Sequence, residues 1–180
     1  VNLRKDNGEY IFVTTGRLVP PKGYDIAIEA AKILKENGVK FKWYFIGDGP
    51  ERQKIEHGIK TNELLNHIVL LGLQTNPYKY MDQADVYVQT SKFEGFGMTI
   101  AEAKILGKPI VSTNFDVVYN QITHEKNGLI AEMNGKSIAD NIYRMITDNE
   151  LRNSIIEEVN REVNTTHLTE AKKVEALIDK

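Results

Sequence analysis

Cysteine is absent from the 180 residues, which excludes disulfides and thiolate metal sites and fits a cytosolic setting. A basic surplus is also missing. Lys and Arg number 23 against 25 Asp and Glu, for a net charge of −2, which argues against general nucleic-acid binding. No apolar run approaches the roughly 18 residues that a membrane span needs. No signal-peptide pattern opens the chain. The dinucleotide fingerprint G-x-G-x-x-G does not follow the first predicted strand, and Gly47-Asp48-Gly49 is only a fragment of it. A Walker motif is absent as well. No Asp-x-Asp occurs, and His57, His67, His124 and His167 are scattered without ligand spacing, so no metal site and no cofactor are expected. What remains is ordinary for a globular chain: 41% hydrophobic and 27% charged residues, enough for one packed domain. Residues 1–9 are polar, lack Met and read as a linker or cut end, so 1–180 is expected to be a single domain of a longer protein.

β-branched and apolar runs alternate with helical patterns. Strands are predicted at Tyr10–Thr15, Phe41–Ile46, His67–Leu71, Val86–Gln89, Pro109–Ser112 and Gly128–Ala131. Helices are predicted at Gly23–Asn37, Pro50–Lys60, Pro77–Gln83, Met98–Leu106 and Val117–Thr123, with closing helices at Ser137–Thr147, Asn149–Val159 and Thr169–Ile178. Trp43 and Phe45 alternate within a strand and read as core, while Glu157, Glu158 and Arg161 read as a solvated helix face. Strand–helix alternation implies parallel pairing through right-handed crossovers. The expected fold is α/β: a Rossmann-like three-layer sandwich around a parallel, doubly wound sheet of about six strands. Ligands of such sheets bind beyond the carboxyl ends of the strands.

Two loops at those ends are unusual. After the first strand, Gly16-Arg17-Leu18-Val19-Pro20-Pro21-Lys22-Gly23 places two cations around two prolines that stiffen the loop. Arginine offers a planar fork and lysine a point charge, a pairing suited to a diphosphate; the plain alternative is a solvated polar loop. After the fourth strand, Glu94-Gly95-Phe96-Gly97-Met98-Thr99-Ile100-Ala101-Glu102-Ala103 runs into a helix. Gly95 and Gly97 let backbone approach a ligand. The N–H groups of Met98, Thr99 and Ile100 at the helix start are expected to face an anion. Glu102 lies about 6 Å down that helix. A carboxylate so near a phosphate needs another task, and hydroxyl groups are its natural partners. A nucleotide sugar has hydroxyls on both sides of its diphosphate. Taken singly, Glu94 as a turn residue and Glu102 as a surface residue are the commoner roles.

Gly16-Arg17-Leu18 with Lys22-Gly23, then Glu94-Gly95-Phe96-Gly97 with Glu102-Ala103, resembles glycosyltransferase family 4, the group 1 glycosyltransferases of GT-B fold. Gly47-Asp48-Gly49-Pro50, Leu71-Gly72-Leu73 and Asn127-Gly128-Leu129-Ile130 match further family segments in order, so the resemblance runs from about Tyr10 to Thr147. It implies the donor-binding half of a retaining, hexosyltransferase-type enzyme that takes a nucleoside-diphosphate sugar, in polysaccharide or glycan synthesis. By resemblance, Arg17 and Lys22 hold the diphosphate, and Glu94 contacts donor-sugar hydroxyls beside Gly95 and Phe96. Glu102 holds the ribose, Gly97, Met98 and Thr99 present the helix start, Gly47, Asp48 and Leu73 line the base pocket, and Gly16 is a further donor-binding residue.

The resemblance also implies partners: an N-terminal acceptor domain outside this chain, and a glycan or lipid-linked acceptor. Transfer by these 180 residues alone is not expected. The expected location is cytoplasmic, with peripheral attachment at the inner face of a membrane left open for the full-length protein. One stretch departs from the family: many relatives carry a Gly-Gly pair and a glutamate after the fifth strand, where this chain reads Asn114-Phe115-Asp116-Val117-Val118-Tyr119-Asn120-Gln121. A nucleotide-sugar epimerase of related fold and a non-catalytic nucleotide-sugar-binding module remain as alternatives.

Overall fold

A computed structural model describes residues 3 and 8–166. Six strands form one all-parallel sheet: β1 (Tyr10–Thr15), β2 (Phe41–Ile46), β3 (Ile68–Gly72), β4 (Val86–Gln89), β5 (Ile110–Thr113) and β6 (Leu129–Ala131). Their order is β3-β2-β1-β4-β5-β6, so the direction of winding reverses between β1 and β4. The helices are α1 (Tyr24–Glu36), α2 (Arg52–Thr61), α3 (Tyr78–Met81), α4 (Met98–Ile105), α5 (Gly135–Thr147) and α6 (Asn149–Thr166). Two short 3-10 turns, Pro20–Lys22 and Asp116–Asn120, follow β1 and β5.

Alternation along buried strands assigns side chains to the two faces of the sheet. Phe12, Trp43, Phe45, Val86 and Val88 join the core that packs under α1, α2, α5 and α6. Ile11, Val13, Tyr44, Ile46 and Tyr87 join the opposite core with α3 and α4. Phe12 meets Trp43 edge-on at 5.8 Å between ring centroids, and Trp43 meets Phe45 the same way at 5.7 Å, arrangements that aromatic quadrupoles favour. The indole N–H of Trp43 donates to Thr14 Oγ1 at 3.0 Å, so the largest core residue buries no unpaired donor.

Element boundaries differ from expectation for local reasons. α2 begins at Arg52, leaving Pro50 in the preceding turn. α5 starts two residues early because Asn134 caps it, accepting from Ser137 N–H at 2.8 Å, and Glu29 accepts from Gly135 N–H at 3.0 Å. The helix expected at Val117–Thr123 is instead the tighter turn Asp116–Asn120, and α6 continues to Thr166 rather than ending at Val159. The helix expected at Thr169–Ile178 lies outside the described residues. Leu3, within the stretch read as linker, is buried, and its N–H donates to Gln83 Oε1 at 2.8 Å. Apolar contact and one paired amide give that residue a place in the domain.

Candidate functional site

The reversal between β1 and β4 leaves a crevice at their carboxyl ends, the place where open α/β sheets bind ligands. Three loops build its rim. The β1 and β2 loops are tied by backbone: Leu18 N–H donates to Asp48 O at 3.0 Å and Glu51 N–H to Leu18 O at 3.0 Å. Gly47 makes this approach possible, since a Cβ there would stand 2.0 Å from Gly16 O. The β1 and β4 loops are tied by Lys92 N–H to Pro21 O at 2.7 Å and Thr90 Oγ1 to Lys22 O at 3.1 Å. Here Gly23 is required, with φ of +62° and room for no Cβ, which would stand 2.0 Å from Thr90 O. It also starts α1 directly after the turn.

A cleft of about 590 Å³ opens between the β1 and β2 loops, the loop after β3 and the first turns of α4. Gly16, Arg17, Gly47, Asp48, Leu73, Thr99 and Glu102 all line it, so seven expected site residues meet in one cavity. Arg17 is exposed on its wall and makes no ion pair among the described residues. Leu73 is 82% exposed at the cleft, an apolar side chain held in water. Asp48 accepts from Gly49 N–H at 2.7 Å and faces Arg52 at 3.4 Å. Glu102 is half-buried, and loss of solvent raises its pKa above the ordinary carboxylate range; a 3.0 Å hydrogen bond from Tyr78 OH works in the opposite sense. Burial, with the Glu102 contact, also raises the Tyr78 pKa, so the phenol remains a donor.

The remaining expected residues form an adjoining lobe. Lys22 Nζ donates to Glu94 Oε1 at 2.5 Å across 72 residues of sequence. The prolines therefore do not aim Lys22 at the same point as Arg17; the lysine is turned to the carboxylate because an opposite charge stands within reach. The same Glu94 oxygen accepts from Gln89 Nε2 at 2.6 Å and Ser91 Oγ at 2.6 Å. Between the two glutamates lies the start of α4, where Gly97 is left-handed with φ of +74°. Gly95 is exposed and a Cβ there would meet nothing within 4 Å. The Phe96 and Met98 side chains are exposed. Among the described residues the N–H groups of Met98 and Thr99 have no carbonyl partner, as the first positions of a helix require. Ile100 corrects the expectation: its N–H donates to Gly97 O at 3.0 Å and is spent within the turn.

Three groups that sequence reasoning missed support this site. Gln89 is buried beneath Glu94. Tyr78 holds Glu102. Gln121, at the end of the divergent stretch, donates from Nε2 to Phe96 O at 2.5 Å and to Gly97 O at 3.1 Å, clamping the loop before α4. Only Gln89 gave a signal, as a polar residue at the end of the predicted strand Val86–Gln89. Among the described residues no group of three His, Asp or Glu side chains could hold a metal ion, and no helix is long and apolar enough to cross a membrane.

Fold and cleft together define a doubly wound α/β domain with a Rossmann-like, GT-B-type sheet. The chain belongs to the family of glycosyl transferases group 1, whose model matches residues 1–162. It is 36% identical over 141 residues to the poly(ribitol-phosphate) alpha-N-acetylglucosaminyltransferase of Staphylococcus aureus, covering 75% of this chain and 28% of that protein. It superposes on Anabaena Alr3699/HepE, solved with UDP and glucose, with a TM-score of 0.80 at 22% identity over 96% of this chain and 47% of that one. It likewise matches the C-terminal domain of a group 1 glycosyl transferase, LpcC of Francisella tularensis, with a TM-score of 0.76 at 25% identity over 88% of this chain and 86% of that one. The match therefore covers about a quarter of the first protein and just under half of the second.

Proposed function

We propose that this chain is the donor-binding domain of a retaining, hexosyltransferase-type glycosyltransferase. In this reading it takes a sugar from a nucleoside-diphosphate donor, UDP-linked in the first instance, for polysaccharide or glycan synthesis. The observation that carries the reading is the grouping of Arg17, Thr99 and Glu102 in one switch-point cleft, with Lys22 and Glu94 beside it. Relatives named for sugar transfer, and a structural neighbour solved with UDP and glucose, support the choice of donor.

The chemistry follows from charge. When the bond between the sugar and the diphosphate breaks, negative charge grows on the leaving oxygen. Arg17 and the free N–H groups of Met98 and Thr99 are positive groups at the site, the preorganised kind of arrangement that stabilises such a transition state, and Lys22 joins them when a diphosphate draws it from Glu94. Glu94 receives sugar hydroxyls and Glu102 the ribose hydroxyls. Leu73 packs against the base, beside Gly47 and Asp48. The acceptor, whether glycan or lipid-linked, approaches from an N-terminal domain that completes the site in the longer protein, which works on the cytoplasmic side. Without that domain these residues bind donor and do not transfer sugar.

Calorimetric titration with UDP, GDP and ADP tests the reading. One diphosphate is expected to bind, and Arg17→Ala to weaken it at least about tenfold, since a hydrogen bond to a charged group contributes roughly 1.5–3 kcal/mol. Binding that ignores Arg17→Ala, or sugar transfer by these 180 residues alone, would contradict it.

A further inference from the structure

Gln89 is 1% exposed, yet its side chain joins Glu94 to Thr99. Its carboxamide is fully used. Nε2 donates to Glu94 Oε1 at 2.6 Å and to Ser91 Oγ at 2.7 Å. Oε1 accepts from Tyr87 OH at 3.0 Å and from Thr99 Oγ1 at 3.1 Å. The orientation of this amide is fixed by chemistry. A carboxylate only accepts, so turning the amide over would set its oxygen against Glu94. Behind it, Thr15 Oγ1 lies 2.9 Å from Tyr87 OH, and because the phenol proton goes to Gln89, the threonine supplies the proton of that contact. The donors therefore point one way, from Thr15 through Tyr87 and Gln89 to Glu94, and hydrogen bonds aligned in series polarise one another. Burial pushes the Tyr87 pKa up to about 12, which keeps the phenol a donor throughout the neutral range.

We infer that Gln89 is a positioning residue: it pins Glu94 Oε1 and the Thr99 hydroxyl in a fixed relation, leaving the second Glu94 oxygen to face the ligand. This rests on the proposed donor site and adds to it a residue that never meets the ligand. It also accounts for the coexistence of two demands on Lys22. The lysine is paired with Glu94 in the structure. When a diphosphate draws it away, Gln89 and Ser91 still hold the carboxylate, so Glu94 keeps its place.

The test compares UDP with a UDP-sugar on the wild-type chain, Gln89→Met, Glu94→Ala and the double variant. Methionine conserves the volume of glutamine and removes both polar ends. The affinity added by the sugar is expected to fall about tenfold in Gln89→Met, the effect of losing one charge-assisted hydrogen bond, while affinity for UDP alone changes less than about threefold. In the Glu94→Ala background, Gln89→Met is expected to change neither by more than about threefold, because its effect runs through Glu94. Equal losses for UDP and UDP-sugar, or full additivity, overturn the inference. Tyr87→Phe, which deletes one hydroxyl and keeps the ring, provides a second variant if methionine prevents folding; it is expected to lower the sugar increment by a smaller factor, and no change contradicts the relay. If no nucleotide binds the wild-type chain, the donor-site reading fails by itself. The positioning claim is then decided by NMR: the Gln89 carboxamide resonances are expected to shift and lose solvent protection in Glu94→Ala, and unmoved resonances refute it.

Discussion

Glu94 and Glu102 stand on opposite sides of the start of α4 and are held in opposite ways. Glu94 has one oxygen saturated by three donors, one of them a cation. Among the described residues Glu102 has a single donor, a phenol, and solvent loss opposes its charge. A carboxylate fixed from behind by several donors keeps its direction. One supported by a phenol alone is free to take further donors, such as a vicinal pair of hydroxyls. The contrast shows how two identical side chains, eight positions apart in the loop and helix, acquire different tasks from their surroundings.

Several substitutions break or sharpen that contrast. Glu94→Ala has the largest expected effect. It strands the donors of Lys22, Gln89 and Ser91, and on the proposed function sugar transfer by the longer protein should fall about 10²–10³-fold, in line with loss of a preorganised group. Donor turnover assays on the complete protein check this, and a loss below tenfold would remove Glu94 from the machinery. Gly23→Ala comes next. It forces a Cβ against Thr90 O at a left-handed position, and chemical denaturation should show a loss of about 3 kcal/mol. Gly95→Ala meets nothing and should stay within about 0.5 kcal/mol in the same experiment. A stability loss at Gly95 equal to that at Gly23 would mean the loop is packed rather than open to a ligand.

The smallest effect sharpens the comparison through pH. The raised pKa of Glu102 means that the folded state holds its proton more tightly than the unfolded chain does. Its contribution to stability is therefore full below the ordinary carboxylate range and declines as pH rises through the folded value. Glu102→Gln removes that decline. Thermal midpoints should be slightly higher than wild type at neutral pH and converge in acid, by less than about 1 kcal/mol for a half-exposed group after solvent screening. A variant less stable than wild type at pH 7 would contradict the burial account. Stability gained here and ribose affinity lost would together mark a residue kept for function.

The sheet was legible because each layer of information agreed. Apolar runs such as Tyr10–Thr15 and Phe41–Ile46 are bounded by glycine and loop residues, and all six predicted strands occur within a residue or so of their expected ends. The cleft residues were legible because Gly16, Arg17, Gly47 and Leu73 each follow a strand end and Glu102 lies about one turn into the helix that follows the fourth-strand loop. The pairing of Lys22 with Glu94 was not, because nothing local in the sequence joins positions 72 apart. Gln89 was hidden by its context, since a polar residue in a short buried strand reads as an irregularity until its four partners are known. Gln121 was hidden by divergence: its stretch lacks the family's glycine pair, and only the fold brings its amide to Phe96 and Gly97. The helix start fell where it was expected, at Met98, but the N–H of Ile100 was misassigned because the first turn closes i→i+3 onto Gly97 O.

The central claim is a division of labour, with the sugar held on the Glu94 side and the nucleoside on the Glu102 side. Calorimetric titration of Glu94→Ala and Glu102→Ala with UDP, 2′-deoxy-UDP and a UDP-sugar measures it directly. The account predicts a crossed result. Glu94→Ala should lose the affinity added by the sugar and keep the preference for UDP over its deoxy form, while Glu102→Ala should lose that preference and keep the sugar increment. Parallel losses in both variants, or a deoxy preference untouched by Glu102→Ala, would contradict it.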